Sequence, residues 1–324
     1  MKRRILVAIL AAQVFPAFHT GAIAQHQWKT DRIEMVVPYP AGGSTDTIAR
    51  AFADALRTQL NTTIVVQNRS GATGTIGSGF VARAKPDGGT ILFTPSSPLT
   101  ITPYFVNLPF KPLEDLRPVA SVAISPGVLV AKRDAPFDDF AGLVAHAKRQ
   151  PGAISIGFPG VGSVGHIGVA QIEQAAGIRL NQVPYQGSNQ AVTDAIGGNI
   201  DLLVLNTDAV LQQIANGTIK PIGVTSPARL QALPNVPTFE EMGFKGVQFF
   251  STYGIFAPAK MSADAVAELT RAAQAAVKDK TFVGLLQQFQ ALPGGQDHAT
   301  FVASLKDENR RIGETIKSSK LVKP

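Results

Sequence analysis

The sequence predicts an α/β protein of two lobes, in which the chain leaves the first lobe, builds the second and returns. A strand, glycine loop, helix unit opens each half, around residues 36–56 and again around 154–176. Almost continuous β-forming runs at 119–131 and 247–257 are placed to carry the chain out and back. From residue 262 onward the pattern is helical, and helices of that kind bury their apolar faces only against a lobe already formed.

The first residues read as a targeting segment. Lys2, Arg3 and Arg4 are basic, residues 5–18 form an apolar stretch too short and interrupted for a membrane span, and Ala22-Ile23-Ala24 supplies small residues for cleavage. Cleavage is expected after Ala24, with residues 1–24 as signal peptide and the mature chain exported to the periplasm. The 324-residue chain has no cysteine, which removes a lipid anchor on the first mature residue, a disulfide framework and thiolate chemistry. Losing three basic residues from a formal charge of +7 leaves a mild excess, with the lysines and arginines scattered rather than clustered, so nucleic acid is not an expected partner.

The opening unit is the most informative. Val36 and Val37 end a strand at Pro38-Tyr39-Pro40, the loop Ala41-Gly42-Gly43 follows, and Ile48, Ala49, Phe52, Ala53 and Leu56 recur at helical spacing. The prolines stop the strand, the glycines let backbone approach a ligand, and Ser44, Thr45 or Asp46 can cap the helix. Free N–H groups with a helix dipole behind them make a seat for a carboxylate or phosphate. An ordinary βα turn that binds nothing fits the same residues.

The strand at 64–66 then leads to the loop Asn68-Arg69-Ser70-Gly71-Ala72-Thr73-Gly74, a helix at 75–84, the turn Pro86-Asp87-Gly88-Gly89 and a strand at 90–94. Ser96 and Ser97 lie just beyond that strand, where the carboxyl ends of an open α/β sheet face a ligand crevice, or else in a solvated loop. The run 119–131, interrupted at Ser125-Pro126-Gly127, is a strand pair or one bent strand. A helix at 137–149 and a strand at 154–156 bring the chain to Phe158-Pro159-Gly160-Val161-Gly162-Ser163-Val164-Gly165-His166, which opens a helix reaching 176. A strand at 180–184 ends at Tyr185-Gln186-Gly187-Ser188, and a helix runs to 196 before Gly197-Gly198. Beyond the strand at 200–205, Asn206-Thr207-Asp208 is expected to open another helix, followed by a strand at 220–225 and a loop at 226–237. Helices at 262–278, 281–290 and 297–316 are expected to pack on the first lobe.

Several familiar chemistries fail on these residues. Gly160, Gly162 and Gly165 match a dinucleotide fingerprint, but no carboxylate lies near 180–185 to hold a ribose. Val161 stands where a hydrolase elbow around Ser163 needs glycine. Gly42-Gly43 lacks the lysine of a phosphate-cradling P-loop. The histidines have no metal-ligand spacing. His166 is either a ligand or loop-orienting donor, or a satisfied structural histidine. Tyr39 and Tyr185 each follow a strand and wall a pocket or pack. Asp46 reads as a cap, because a carboxylate facing an anion would repel it. No catalytic residue, metal or cofactor is expected.

Taken together, Val37-Pro38-Tyr39-Pro40-Ala41-Gly42-Gly43 with Asp46, Asn68-Arg69 through Gly71 and Gly74, Pro86-Asp87-Gly88, Gly160 through His166, Val183-Pro184-Tyr185-Gln186-Gly187, Gly198 with Asp201, and Gly217 through Thr225 with Pro237-Thr238 occur in order. Over essentially the whole mature chain this pattern resembles the tripartite tricarboxylate transporter substrate-binding proteins, the Bug family of periplasmic receptors. The resemblance implies a two-lobed periplasmic-binding-protein fold, type II-like, each lobe a mixed sheet flanked by helices with the ligand cleft between. It implies a first lobe of 25–122 and 252–324 and a second of 123–251. It further implies a non-catalytic receptor that captures a small carboxylate and hands it to integral-membrane transport subunits. Carried across, the candidate ligand contacts are Tyr39, Ala41, Gly42, Gly43, Ser96 and Ser97 from the first lobe, and Gly160, Val161, Gly162, Ser163, His166, Tyr185 and Asn206 from the second. Phe158 replaces a residue usually small or polar, which favours an aromatic or apolar ligand body. A monomer is expected. The alternatives are an exported serine hydrolase using Ser163 or Ser96, and a sensor presenting its ligand to a signalling partner.

Overall fold

In the computed structural model, which describes residues 30–319 and Leu321, the chain opens with parallel strand-helix-strand units. The expected targeting segment and its cleavage after Ala24 lie outside those residues. β1 (Arg32–Val37) leads into α1 (Ser44–Leu60), and β2 (Thr63–Asn68) returns parallel beside β1. α2 (Thr75–Ala82) carries the chain to β3 (Thr90–Pro95), parallel to β1 on its other side. Two short helices, α3 (Ser97–Thr100) and α4 (Pro112–Asp115), precede β4 (Leu116–Lys132).

The middle of the chain adds α5 (Phe140–Arg149), β5 (Ser155–Phe158), α6 (Val164–Ala176), β6 (Asn181–Pro184), α7 (Ser188–Ile196), β7 (Leu202–Asn206), α8 (Leu211–Ala215) and β8 (Ile219–Val224). The return uses β9 (Phe250–Pro258), α9 (Ala263–Ala276), α10 (Lys280–Gln288), the short β10 (Leu292–Pro293) and α11 (His298–Ser319). The helix expected from Asn206 is instead a single 3-10 turn, Thr207–Ala209, before the five-residue α8.

The strands run β2-β1-β3-β9-β4-β7-β5-β6, with β8 and β10 also on β4. Residues 119–131 lie within one strand rather than a pair. From Leu116 to Pro126 β4 is antiparallel to β9, and from Gly127 it is antiparallel to β7 and β8. Pro126-Gly127 is therefore where the sheet passes from one lobe to the other. The Gly127 N–H donates to Phe249 O at 3.1 Å and Thr225 Oγ1 at 2.8 Å, and a Cβ at this position would run into the Phe249 ring.

Strand alternation separates the cores. Ile33, Met35 and Val37 of β1 join Phe52, Phe93, Ile255 and Phe282 on one face of the first sheet, while Val36 joins Leu92, Phe256 and Phe301 on the other. Past Gly127 the same rule puts Leu129 and Ala131 with Phe158, Ile167 and Ile172, and Val128 and Val130 with Ala191, Leu203 and Val224. α9 and α10 pack on α1, where the Phe52 and Phe282 rings lie 5.6 Å apart. α11 departs from the expectation that the tail covers only the first lobe. Its Phe301 and Leu305 are buried in the first, while Ile312 and Ile316 pack against the second-lobe core. An apolar stripe along a 22-residue helix is long enough to span both.

Candidate functional site

The parallel strands of both lobes end around one cavity of about 720 Å³. Loops after β1, β2 and β3 wall it from the first lobe, and loops after β5 and β6, with the end of β7, wall it from the second. This is where an open α/β sheet leaves its carboxyl-end crevice. Ser251 and Tyr253 of β9 form part of the floor.

Four helices start at its wall. Gly43, Ser44 and Thr45 belong to the start of α1, Gly74 is the N-cap of α2, Ser163, Val164 and Gly165 open α6, and Gly187, Ser188 and Asn189 open α7. The first N–H groups of a helix have no partner inside it. At α1, α2 and α7 the N-cap is glycine and no side chain takes them, although at α2 the Thr75 N–H already donates to Ala72 O. At α6 the Ser163 Oγ accepts only from the His166 N–H, at 3.1 Å. Among the described residues lining the cavity none carries a charged side chain. The positive character of the site comes from oriented backbone.

The two walls touch. Thr73 Oγ1 donates to Val161 O at 3.3 Å, and Thr102 Oγ1 donates to Gly162 O at 3.1 Å. Thr73 and Ala72 both sit in the left-handed region, with φ of 51° and 46°, a conformation non-glycine residues keep only where their surroundings fix it. Tyr39 OH donates to Thr73 O at 3.4 Å and bonds the Ser97 side chain, and burial holds its hydroxyl above the usual range. Tyr185 OH donates to Asp194 Oδ2 at 2.9 Å; burial, with that carboxylate, pushes its pKa up to about 12. Both phenols are thus neutral walls.

Of the residues singled out from sequence, the structure brings Tyr39, Gly43, Ser97, Gly160, Val161, Ser163, Tyr185 and Asn206 to the cavity. The Asn206 amide is already engaged, donating to Ser251 Oγ at 2.9 Å and Tyr253 OH at 3.1 Å. The others turn elsewhere. Ala41 and Gly42 are exposed outside the lining, and the Gly42 N–H donates to Asp46 Oδ2 at 2.9 Å. Asp46 therefore ties down the loop ahead of the helix instead of capping the helix itself. Ser96 is fully buried and donates to Glu308 Oε1 at 2.7 Å. The Gly162 N–H points to His166 Nδ1 at 3.3 Å. His166 is buried between Phe105 and Phe158, each ring 4.9 Å away, and burial pushes its pKa down to about 4. It is a neutral structural base. Phe158 is 1% exposed and stacks on that imidazole, so the apolar ligand body inferred from it has no basis: β5 directs this side chain into the core.

Neither serine of the hydrolase alternative has its hydroxyl bonded to a histidine ring, and Ser96 lies outside the cavity lining. Ser163 accepts the cap bond, while the neighbouring imidazole accepts from Gly162, and Ser96 is held by a carboxyl. Among the described residues no group of three or more histidine or carboxylate side chains is placed to hold a metal.

The sequence reading missed the Thr73 latch and the α7 start at Gly187–Asn189, although the glycine-rich loop at 68–74 and the Gly187-Ser188 pair carry the same strand-loop-helix signal as the first loop. It had no access to Ser251 and Tyr253, which belong to a strand with no local ligand signature.

Comparison with known proteins gives a consistent picture. The family model described as tripartite tricarboxylate transporter family receptor matches residues 48–321. The chain is 32% identical over 280 residues to protein BugT of Bordetella pertussis, covering 86% of each. Among solved structures it is similar to the periplasmic binding protein BugD, with a TM-score of 0.82 and 32% identity over 89% of this chain and 97% of the other. It is also similar to an R. palustris protein solved with adipate, with a TM-score of 0.84 and 27% identity over 90% of this chain and 98% of the other.

Proposed function

The chain belongs to the tripartite tricarboxylate transporter family of receptors, and from that membership we propose that it seats an organic acid without an ammonium group in the cavity between its lobes. It is an exported solute-binding receptor of periplasmic-binding-protein fold, not an enzyme. The observation that carries the ligand reading is the convergence of four helix starts, three without side-chain caps, on a cavity lined by no charged side chain among the described residues. Each helix terminus favours a nearby anion by about 0.3–1 kcal/mol, and more when partly buried. Preformed N–H donors then hold a carboxylate through charge-assisted bonds without an arginine clamp.

An α-ammonium group has no carboxylate to meet in this lining, and burying a charged group unpaired costs more than the roughly 1–3 kcal/mol of a neutral one. The adipate held by the R. palustris relative is an acid of the favoured kind. In this reading Gly43, Ser44 and Thr45 seat one carboxylate, Val164 and Gly165 with Ser188 and Asn189 face it from the second lobe, and Tyr39 and Tyr185 wall the ligand body. The two lobes, expected from sequence to divide at 122/123 and 251/252, part in this reading at Pro126-Gly127, and a ligand touching both favours the closed form. Cleavage after Ala24 releases the mature receptor, which delivers its cargo to membrane transport subunits.

Thermal-shift and calorimetric titration of the mature protein with adipate, succinate and aspartate tests the reading. An acid that binds, supplied at a hundred times its Kd, adds about 2.7 kcal/mol of stability. Succinate is expected to bind at least tenfold more tightly than aspartate. Failure of a broad carboxylate panel, or aspartate equal to succinate, overturns it.

A further inference from the structure

The short helix α3 stands as a wedge against several parts of the ligand wall. Its Ser97 lines the cavity. Its Pro98 lies so close to Gly74, the N-cap of α2, that a Cβ on the glycine would fall 2.8 Å from Pro98 Cγ and 3.0 Å from the Tyr39 hydroxyl. Just beyond α3, Thr102 Oγ1 donates to Gly162 O, which sits between the lining residues Val161 and Ser163. Ile101 and Phe105 are buried in the second-lobe core, with the Phe105 ring 4.9 Å from that of His166. A helix of four residues does not hold such a place by its own internal bonds.

The side chains that fix it come from α11. The Glu308 carboxyl accepts from Ser96 Oγ at 2.7 Å and from Thr100 Oγ1 at 2.9 Å, both at Oε1. One oxygen thus ties the residue before α3 to its last residue. Asn309 follows, with Nδ2 donating to Thr100 O at 3.1 Å, and the Tyr104 hydroxyl donates to Asn309 Oδ1 at 3.0 Å. The sheet adds a backbone bond, from the Ser96 N–H to Thr252 O at 2.9 Å, which anchors the start of α3 and leaves its end to α11. Ser96 and Thr100 are fully buried, so bulk water does not replace a lost acceptor. Thr100 Oγ1 has Ser96 O to turn to, at 3.0 Å. α11 is itself held on both lobes, through Phe301 and Leu305 on one and Ile312 and Ile316 on the other. Glu308 does not line the cavity.

We propose that Glu308 is a positioning residue of the ligand site: through Ser96 and Thr100 it holds α3 where Ser97, Pro98 and Thr102 keep both walls of the cavity in their binding geometry. The proposal rests on the cavity being the site that captures a carboxylate. The role needs an acceptor oxygen at Oε1, because both hydroxyls meet that one atom. A wall that keeps its binding geometry for only about one-tenth of the time binds tenfold more weakly, and the loss of two bonds to a carboxyl acceptor is enough to shift it that far.

Calorimetry with adipate and with succinate, alongside urea unfolding, tests this on the mature protein and three variants. Glu308→Ala is expected to bind at least about tenfold more weakly, whereas Glu308→Gln, which keeps an oxygen for both hydroxyls, stays within about threefold of wild type. Leu143 is buried on α5 and away from the cavity lining, so Leu143→Ala is expected to lose stability at unchanged affinity. That contrast separates a displaced wall from a weakened fold. Should Glu308→Ala not fold, Ser96→Ala removes the hydroxyl that has no second acceptor and is expected to weaken binding at least about threefold. Wild-type affinity in Glu308→Ala, or in Ser96→Ala where that variant stands in, overturns the proposal even if both acids bind. So does an equal loss in Glu308→Gln or in Leu143→Ala. Failure of the whole carboxylate panel on the wild type overturns the receptor reading and takes this proposal with it.

Discussion

Replacing Asp46 by alanine tests how the first loop is held. The carboxylate is 3% exposed and accepts three hydrogen bonds, from the Gly42 N–H at 2.9 Å, Arg50 Nε at 2.9 Å and Asn68 Nδ2 at 2.8 Å. Asn68 Nδ2 also donates to Tyr39 O at 3.0 Å, so one side chain fixes both ends of the segment that walls the cavity. A bond to a charged group contributes about 1.5–3 kcal/mol net, and the lower end suits the Gly42 and Asn68 bonds. The Arg50 side chain is 50% exposed, so its pairing adds only a few tenths. The sum is about 3 kcal/mol.

These bonds hold the Asp46 carboxyl below the usual range, even though burial alone would raise it. Its contribution is therefore present above the unfolded pKa near 4 and fades as pH falls through the lower folded value. Urea unfolding of wild type and Asp46→Ala is expected to show the full gap at pH 7 and a narrowing gap in acid. Adipate binding should weaken at least tenfold at the same time, because Gly43 and Ser44 lose their fixed position. A difference at pH 7 under about 0.5 kcal/mol would refute the account of the loop.

His166 gives a second pH signature. Its pKa falls from an ordinary 6.5 to about 4, so the stability it contributes is present above 6.5 and is lost on acidification between those values, by roughly 3 kcal/mol. Urea midpoints of His166→Phe should lack that segment of the pH profile, and an unchanged profile would show the histidine to be solvated. Gly42 and Gly162 share a φ of 77°, but a Cβ on Gly42 meets open space whereas one on Gly162 falls 2.9 Å from Thr102 Cα. Gly42→Val should therefore cost only left-handed strain, about 1–2 kcal/mol, and Gly162→Val distinctly more, with loss of the Thr102 bond that joins the lobes. Equal unfolding free energies for the two variants would contradict that difference.

The sequence by itself determined the elements and their order, because alternation and helical spacing report burial that is decided within a few residues. The outward run, the return strand, the helical tail and three strand-glycine-helix loops were all legible in this way. It also marked residues that the fold gathers at one cavity, such as Tyr39, Gly43, Ser163 and Tyr185, since a loop following a strand must lie at the sheet's carboxyl end.

Only the tertiary structure decided where individual polar groups point. Ser96 and Ser97 are neighbours in the chain, yet one donates to Glu308, 212 residues away, and the other lines the cavity. Gly42 and Gly162 look like free donors until Asp46 and the ring of His166 take their N–H groups. Asp208 reads as part of a helix start, and the bond it accepts from Ser125, 83 residues earlier in the chain, depends on which segment packing brings beside it. The direction of a hydrogen bond depends on which partner packing delivers, and a partner from a distant segment leaves no trace in local periodicity.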